Sequence, residues 1–95
     1  MSYPQTTWRE ELIDALEKRD ECWSDIESST LTDDELDKEF HCGYGGSEGK
    51  PFTVWTVNTV YFPWVYDGAE GVAWVSRHPD GKATDHVGGQ WEVVK

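Results

Sequence analysis

Five carboxylates recur through the first quarter of the chain at gaps of four, three, four and four residues: Glu10, Asp14, Glu17, Glu21 and Asp25. At 100° per residue they fall along one side of a helix. Ionised carboxylates accept charge-assisted hydrogen bonds, and one carboxylate can hold an arginine through two of them. Asp33, Asp34, Glu35 and Asp37 follow shortly after. At 1.5 Å per residue the first five would span about 22 Å. That is sparser than a nucleic-acid strand, with a phosphate every ~3.4 Å, yet long enough to occupy a groove lined by lysine and arginine. Exposed helix faces ordinarily intersperse Lys with Glu, and this row does not. The plain alternative is a solvated face that serves only solubility.

Other reactive residue types lack a pattern. Cys22, His41 and Cys42, with His78 or His86, are metal-ligand types, but no CxxC or HxxxH pair is present. Cys22 reads as an ordinary small buried thiol. Cys42 beside His41 is adjacency in sequence and defines no nucleophile geometry. Acids on an open helix face have no means of separating their pKa values by desolvation. The expectation is a protein without a catalytic set, metal or cofactor. Trp55, Tyr61, Trp64, Tyr66 and Trp74 could form a platform for a sugar or peptide, although core packing and cross-strand pairing account for most of them. Six tryptophans in 95 residues exceed the need of one core, and Trp64 and Trp91 are the expected exposed contacts.

The elements that must hold these residues divide the chain in two. Trp8, Leu12, Leu16, Trp23 and Ile26 form the apolar stripe opposite the acids, so one helix is expected over 7–27, capped by Thr7 with Glu10 three residues on. Asp14 and Lys18 form a favourable i,i+4 pair. Glu10/Asp14, Glu17/Glu21 and Glu21/Asp25 are like-charge pairs costing about 0.2–0.5 kcal/mol each. Thr32 with Glu35 and Leu31 with Leu36 give a capping box and a hydrophobic staple, predicting a short helix over 33–40. Residues 41–51 are glycine-rich without phosphate-loop spacing and read as a flexible connection. From Phe52 the period changes to two. Strands are expected over 52–56, 60–66 and 72–76, with Pro63 marking an edge or bulge and Asp67-Gly68 a hairpin. A turn is expected at 78–81, a brief pairing over 83–87 and a closing strand over 90–94. Whether Val54 and Thr56 or Trp55 and Val57 face inward is open. The class is α+β: a long amphipathic helix and a short second one packed on a C-terminal antiparallel meander of three to four strands.

One domain over 1–95 is expected from the length. The net charge is −11; residues 1–40 carry thirteen acids against four bases, and residues 41–95 six against four. Phosphates and anionic membranes would be repelled, so the expected partner is a basic protein or nucleoprotein surface rather than nucleic acid itself. No signal peptide or membrane span is read, and two cysteines make no disulfide framework, which points to the cytoplasm. The segments FTVWT at 52–56, VYFPWVYDGAE at 60–70 and RHP at 77–79 resemble a block found in short uncharacterised proteins of phages and prophages. In size, acidity and single-domain build the chain is similar in kind to phage inhibitors of host defence, including anti-CRISPR proteins. That resemblance implies a cytoplasmic inhibitor that occupies the DNA-binding surface of a host complex, a DNA mimic. The other reading is a binding or scaffolding module that uses its aromatic sheet face.

Overall fold

The computed structural model describes residues 5–41, 49–66, 69–84 and 86–87. Strand β1 (Gln5–Thr6) leads into helix α1 (Trp8–Lys18). Thr7 stands extended at φ −125°, and its Oγ1 accepts the Glu10 amide at 3.2 Å, satisfying a donor the first turn leaves open. The helix buries Trp8, Leu12, Ala15 and Leu16, and each large side chain so removed from water contributes about 1.5–3 kcal/mol.

The expected helix over 7–27 ends early. Asp20 takes φ +61°, the Glu21 amide donates to Leu16 O at 2.8 Å, and the Asp20 amide donates to Glu17 O at 3.0 Å. Those two bonds are a Schellman stop, which satisfies the last carbonyls of the helix. Asparagine and aspartate tolerate the left-handed region better than other non-glycine residues, so the chain breaks here without a glycine to announce it. A single 3-10 turn (Trp23–Asp25) and strand β2 (Ile26–Ser29) occupy what reads in sequence as the rest of the helix.

Helix α2 (Asp33–Leu36) forms with its full capping box: Thr32 Oγ1 accepts the Glu35 amide at 3.2 Å and Glu35 Oε1 accepts the Thr32 amide at 2.9 Å. Leu31 and Leu36 are both buried, as a staple requires. The helix is one turn long rather than reaching residue 40. Phe40 instead enters strand β3 (Phe40–His41), paired with β1 through Thr6↔Phe40. Residues 5 and 6 are therefore strand, a pairing that no local pattern in the sequence signals.

Strands β4 (Val54–Thr56), β5 (Thr59–Tyr66) and β6 (Ala69–Ser76) complete a four-stranded antiparallel sheet of order β2-β4-β5-β6. The register Tyr66↔Ala69 leaves two residues between the strands, as expected of a tight hairpin; Asp67 and Gly68 lie outside the described residues. Pro63 pairs with Val72 on one side, while the ladder to β4 ends at Tyr61. Its missing donor thus faces no neighbouring strand, the edge condition proline needs. A bulge between Ile26 and Ser28 kinks β2. Residues 83, 84, 86 and 87 carry no strand; they are exposed and offer no buried face to pair on. Residues 90–94 lie outside the described residues.

Val54 and Thr56 face inward and are fully buried together with Thr59 and Tyr61. Trp55 and Val57 point the other way. Above this face Trp8 packs on Phe40 at 4.7 Å and on Phe52 at 4.8 Å between ring centroids. Its Nε1 donates to Lys50 O at 2.9 Å, so the large ring is buried without stranding its polar atom. Gly49 is held against it: a Cβ there would come within 2.5 Å of the Trp8 ring. No helix among the described residues is long and apolar enough to cross a membrane.

Candidate functional site

The acids of the first forty residues separate into two groups. Glu10, Asp14 and Glu17 stay on the outer side of α1 and are exposed. Asp14 is 3.1 Å from Lys18, Glu10 Oε1 accepts the Thr6 hydroxyl at 3.3 Å, and Glu17 has no ion-pair partner among the described residues. Three charges over roughly 10 Å of helix replace the expected row of five. Ile13 lies beside them at 42% exposure. An amphipathic reading of the sequence follows the stripe at 8, 12 and 16 and passes over an isolated apolar residue off it.

The remaining acids are built into the fold. Glu21 follows the Schellman stop and is half-buried. It accepts the Tyr61 hydroxyl on Oε1 and the Thr56 hydroxyl on Oε2 at 2.8 Å. Burial, then the bond to Glu21 and its charge, raise the Tyr61 phenol above its ordinary value. Tyr61 is wholly buried, so the pair anchors the 20–25 segment on the sheet and presents no group to a substrate. Asp25 is exposed, and its Oδ2 accepts the Cys22 amide at 2.9 Å, closing the 3-10 turn.

Arg9 is the joint between α1 and α2. Its Nε donates to Asp37 Oδ1 at 2.6 Å and its Nη2 to Asp37 Oδ2 at 3.2 Å. Asp33 is 3.8 Å away, and the guanidinium lies 5.2 Å from the centroid of the Trp23 ring, within cation–π reach. The Arg9 hydrogen bond holds the Asp37 carboxyl below its usual range. Lys50, with the Thr32 amide, does the same for Glu35. Asp34 is exposed with no ion-pair partner among the described residues.

Trp64, expected as an exposed contact, is half-buried. It pairs with Gly71 across the β5–β6 ladder, and a Cβ at Gly71 would come within 2.7 Å of its indole. The ring therefore lies on the glycine backbone. Trp91 lies outside the described residues. Cys22, read as buried, is exposed with a free thiol, because the segment that would bury it is a surface turn and not helix. Cys42 and the His41 side chain lie outside the described residues. His78 Nε2 sits 2.9 Å from Val57 O. Among the described residues no group of three or more His, Cys, Asp or Glu is arranged to hold a metal ion.

Several concavities border α1 or its end among the described residues, and two of them carry chemically distinct walls. One, of about 330 Å³, lies between Glu11, Asp14 and Lys18 of the helix and Trp64, Glu70 and Trp74 of the sheet. Glu70 is buried and accepts the Gly49 amide at 2.9 Å. The other, of about 650 Å³, opens beyond the last turn of the helix, beside Arg19 and residues 74–84.

No family model, curated protein or solved structure matches this chain.

Proposed function

We propose that this chain is a binding domain that engages a basic surface of another protein through the outer face of α1, where Glu10, Asp14 and Glu17 stand along one side of Ile13. The observation that carries this reading is the 42% exposed isoleucine beside a row of exposed carboxylates, on a helix whose opposite face is committed to the core. Protein interfaces place an apolar anchor inside a polar rim. Like-signed rim charges steer a complementary partner and reject others. Asp34, outside the internal ion pairs, adds to the same negative field. An inhibitor covering the nucleic-acid-binding surface of a host complex is the fuller form of this proposal. Continuous imitation of a phosphate backbone is not part of it, because the helical row ends at Glu17.

The test compares the immobilised protein with its Glu10→Lys/Asp14→Lys/Glu17→Lys variant and with Ile13→Ala for proteins retained from a cell extract. All four positions are exposed, so circular dichroism should report an unchanged fold. Basic proteins held by the parent should be missing from the triple variant, reduced with Ile13→Ala, and released as salt screens the charges. Identical retention by parent and triple variant would remove the proposal. The roughly 330 Å³ cleft walled by Trp64 and Trp74 favours a second reading, a module using its aromatic residues. In that case Trp64→Ala abolishes binding and the charge reversals do not.

A further inference from the structure

We infer that the cavity beyond the end of α1 is a site for a small phosphate-bearing ligand. The cavity holds about 650 Å³, within the range of small-molecule sites. Its walls reverse the charge of the rest of the protein. Arg19, Arg77, His78 and Lys82 line it, with Asp80 the sole acid among the described residues, in a chain of nineteen acids and eight Lys and Arg.

Arg19 and Lys82 have no carboxylate within ion-pair distance among the described residues. Arg19 donates from Nη2 to the Thr59 hydroxyl at 3.3 Å, while its Nε is buried without an acceptor among the described residues. The guanidinium has five donors, so this one bond leaves it with unused hydrogen-bonding capacity at the cavity wall. The position of Arg19 as the C-cap of α1 accounts for its charge, which suits the negative end of the helix. Asp80 makes no ion pair with these cations among the described residues; its Oδ1 accepts the Lys82 amide at 3.0 Å, and its charge offsets only part of theirs. Arg77 bonds through Nη1 to Glu27 Oε1 and Thr56 O, so its position is fixed. Trp74 supplies an apolar wall.

A planar guanidinium fork and a separate ammonium suit a dianion with several oxygens better than a single carboxylate. The net charge of −11 repels a polyanion at a distance, which excludes nucleic acid and admits a small ligand.

Calorimetric titration of the whole chain with inorganic phosphate, acetate, a nucleoside monophosphate and a short single-stranded DNA decides the matter. Phosphate and the monophosphate should bind saturably, at least about tenfold more tightly than acetate. Arg19→Gln should weaken phosphate by about tenfold, the loss of one charge-assisted bond, and Lys82→Gln by about threefold. Lys82 is exposed, so its variant reads binding even if Arg19→Gln disturbs the contact with Thr59. Absence of saturable phosphate binding, equal affinity for acetate, tighter binding of the DNA, or a Lys82→Gln protein that binds as the parent does would each overturn the assignment.

Discussion

Residues 8–18 and residues 20–37 have much the same acid-rich composition and opposite uses for it. In the first stretch the backbone is one helix, its apolar side is filled by the core, and Glu10, Asp14 and Glu17 are left facing water. In the second the backbone passes through a helix stop, a 3-10 turn, a short strand and a one-turn helix, and most of these recruit an acid. Glu21 ties to Tyr61 and Thr56, Asp25 closes the 3-10 turn, and Glu35 caps α2 while binding Lys50. Asp37 locks Arg9. A carboxylate is available to a partner only where regular structure already satisfies the surrounding backbone. Where the backbone is irregular, its open amides and hydroxyls take the carboxylate first.

The contrast is sharpest between Glu21 and Glu17. Glu21→Ala should cost about 1–3 kcal/mol of unfolding free energy in urea, because the buried Tyr61 hydroxyl loses its acceptor. Glu17→Ala should stay within about 0.5 kcal/mol, as exposed substitutions do. Equal effects would dissolve the distinction between the two stretches. A smaller loss of melting temperature is expected for Arg9→Ala, which unfastens α1 from α2. It should also change the fluorescence of Trp23, against which the guanidinium lies.

Acidification probes the same joint. Glu35 and Asp37 are held low in the folded protein, so each adds stability above its unfolded value, near pH 4. That contribution is lost as pH falls through the lower folded value. Melting temperature followed from pH 6 to pH 2 should decline in this window, and less so in Arg9→Ala, which has already lost the Asp37 share. A parallel decline in both proteins would place the acid sensitivity elsewhere. The smallest effect is a gain: Asp20→Gly should stabilise by roughly 0.5–1 kcal/mol in thermal or urea unfolding, since glycine takes φ +61° without strain. A loss there would mean that the aspartate side chain supports the stop.

Much of the molecule could be read from residue order. Thr7 with Glu10 placed the start of α1, and Thr32, Glu35, Leu31 and Leu36 placed α2, because caps and staples depend on neighbours within four residues. Period-two alternation located β4, β5 and β6, and Pro63 revealed where the sheet runs out of neighbours. The end of α1 was hidden, since its stop is carried by an aspartate in a conformation that local pattern does not advertise, and the helical spacing of Trp23, Ile26, Glu21 and Asp25 continues past it.

By itself the sequence determined the class of fold, the starts of the helices, the hairpin and the large negative charge, all of which follow from composition and short-range spacing. Only the tertiary structure decided which carboxylates remain available, which sheet face is covered, and that β2 joins the sheet from the N-terminal half. Those outcomes depend on partners far apart in the chain: Glu21 with Tyr61, Arg9 with Asp37, Ile26 with Thr56. Contacts at separations of 28 to 40 residues leave no periodic trace, because a hydrogen-bond acceptor is chosen by position in space and not by place in the chain.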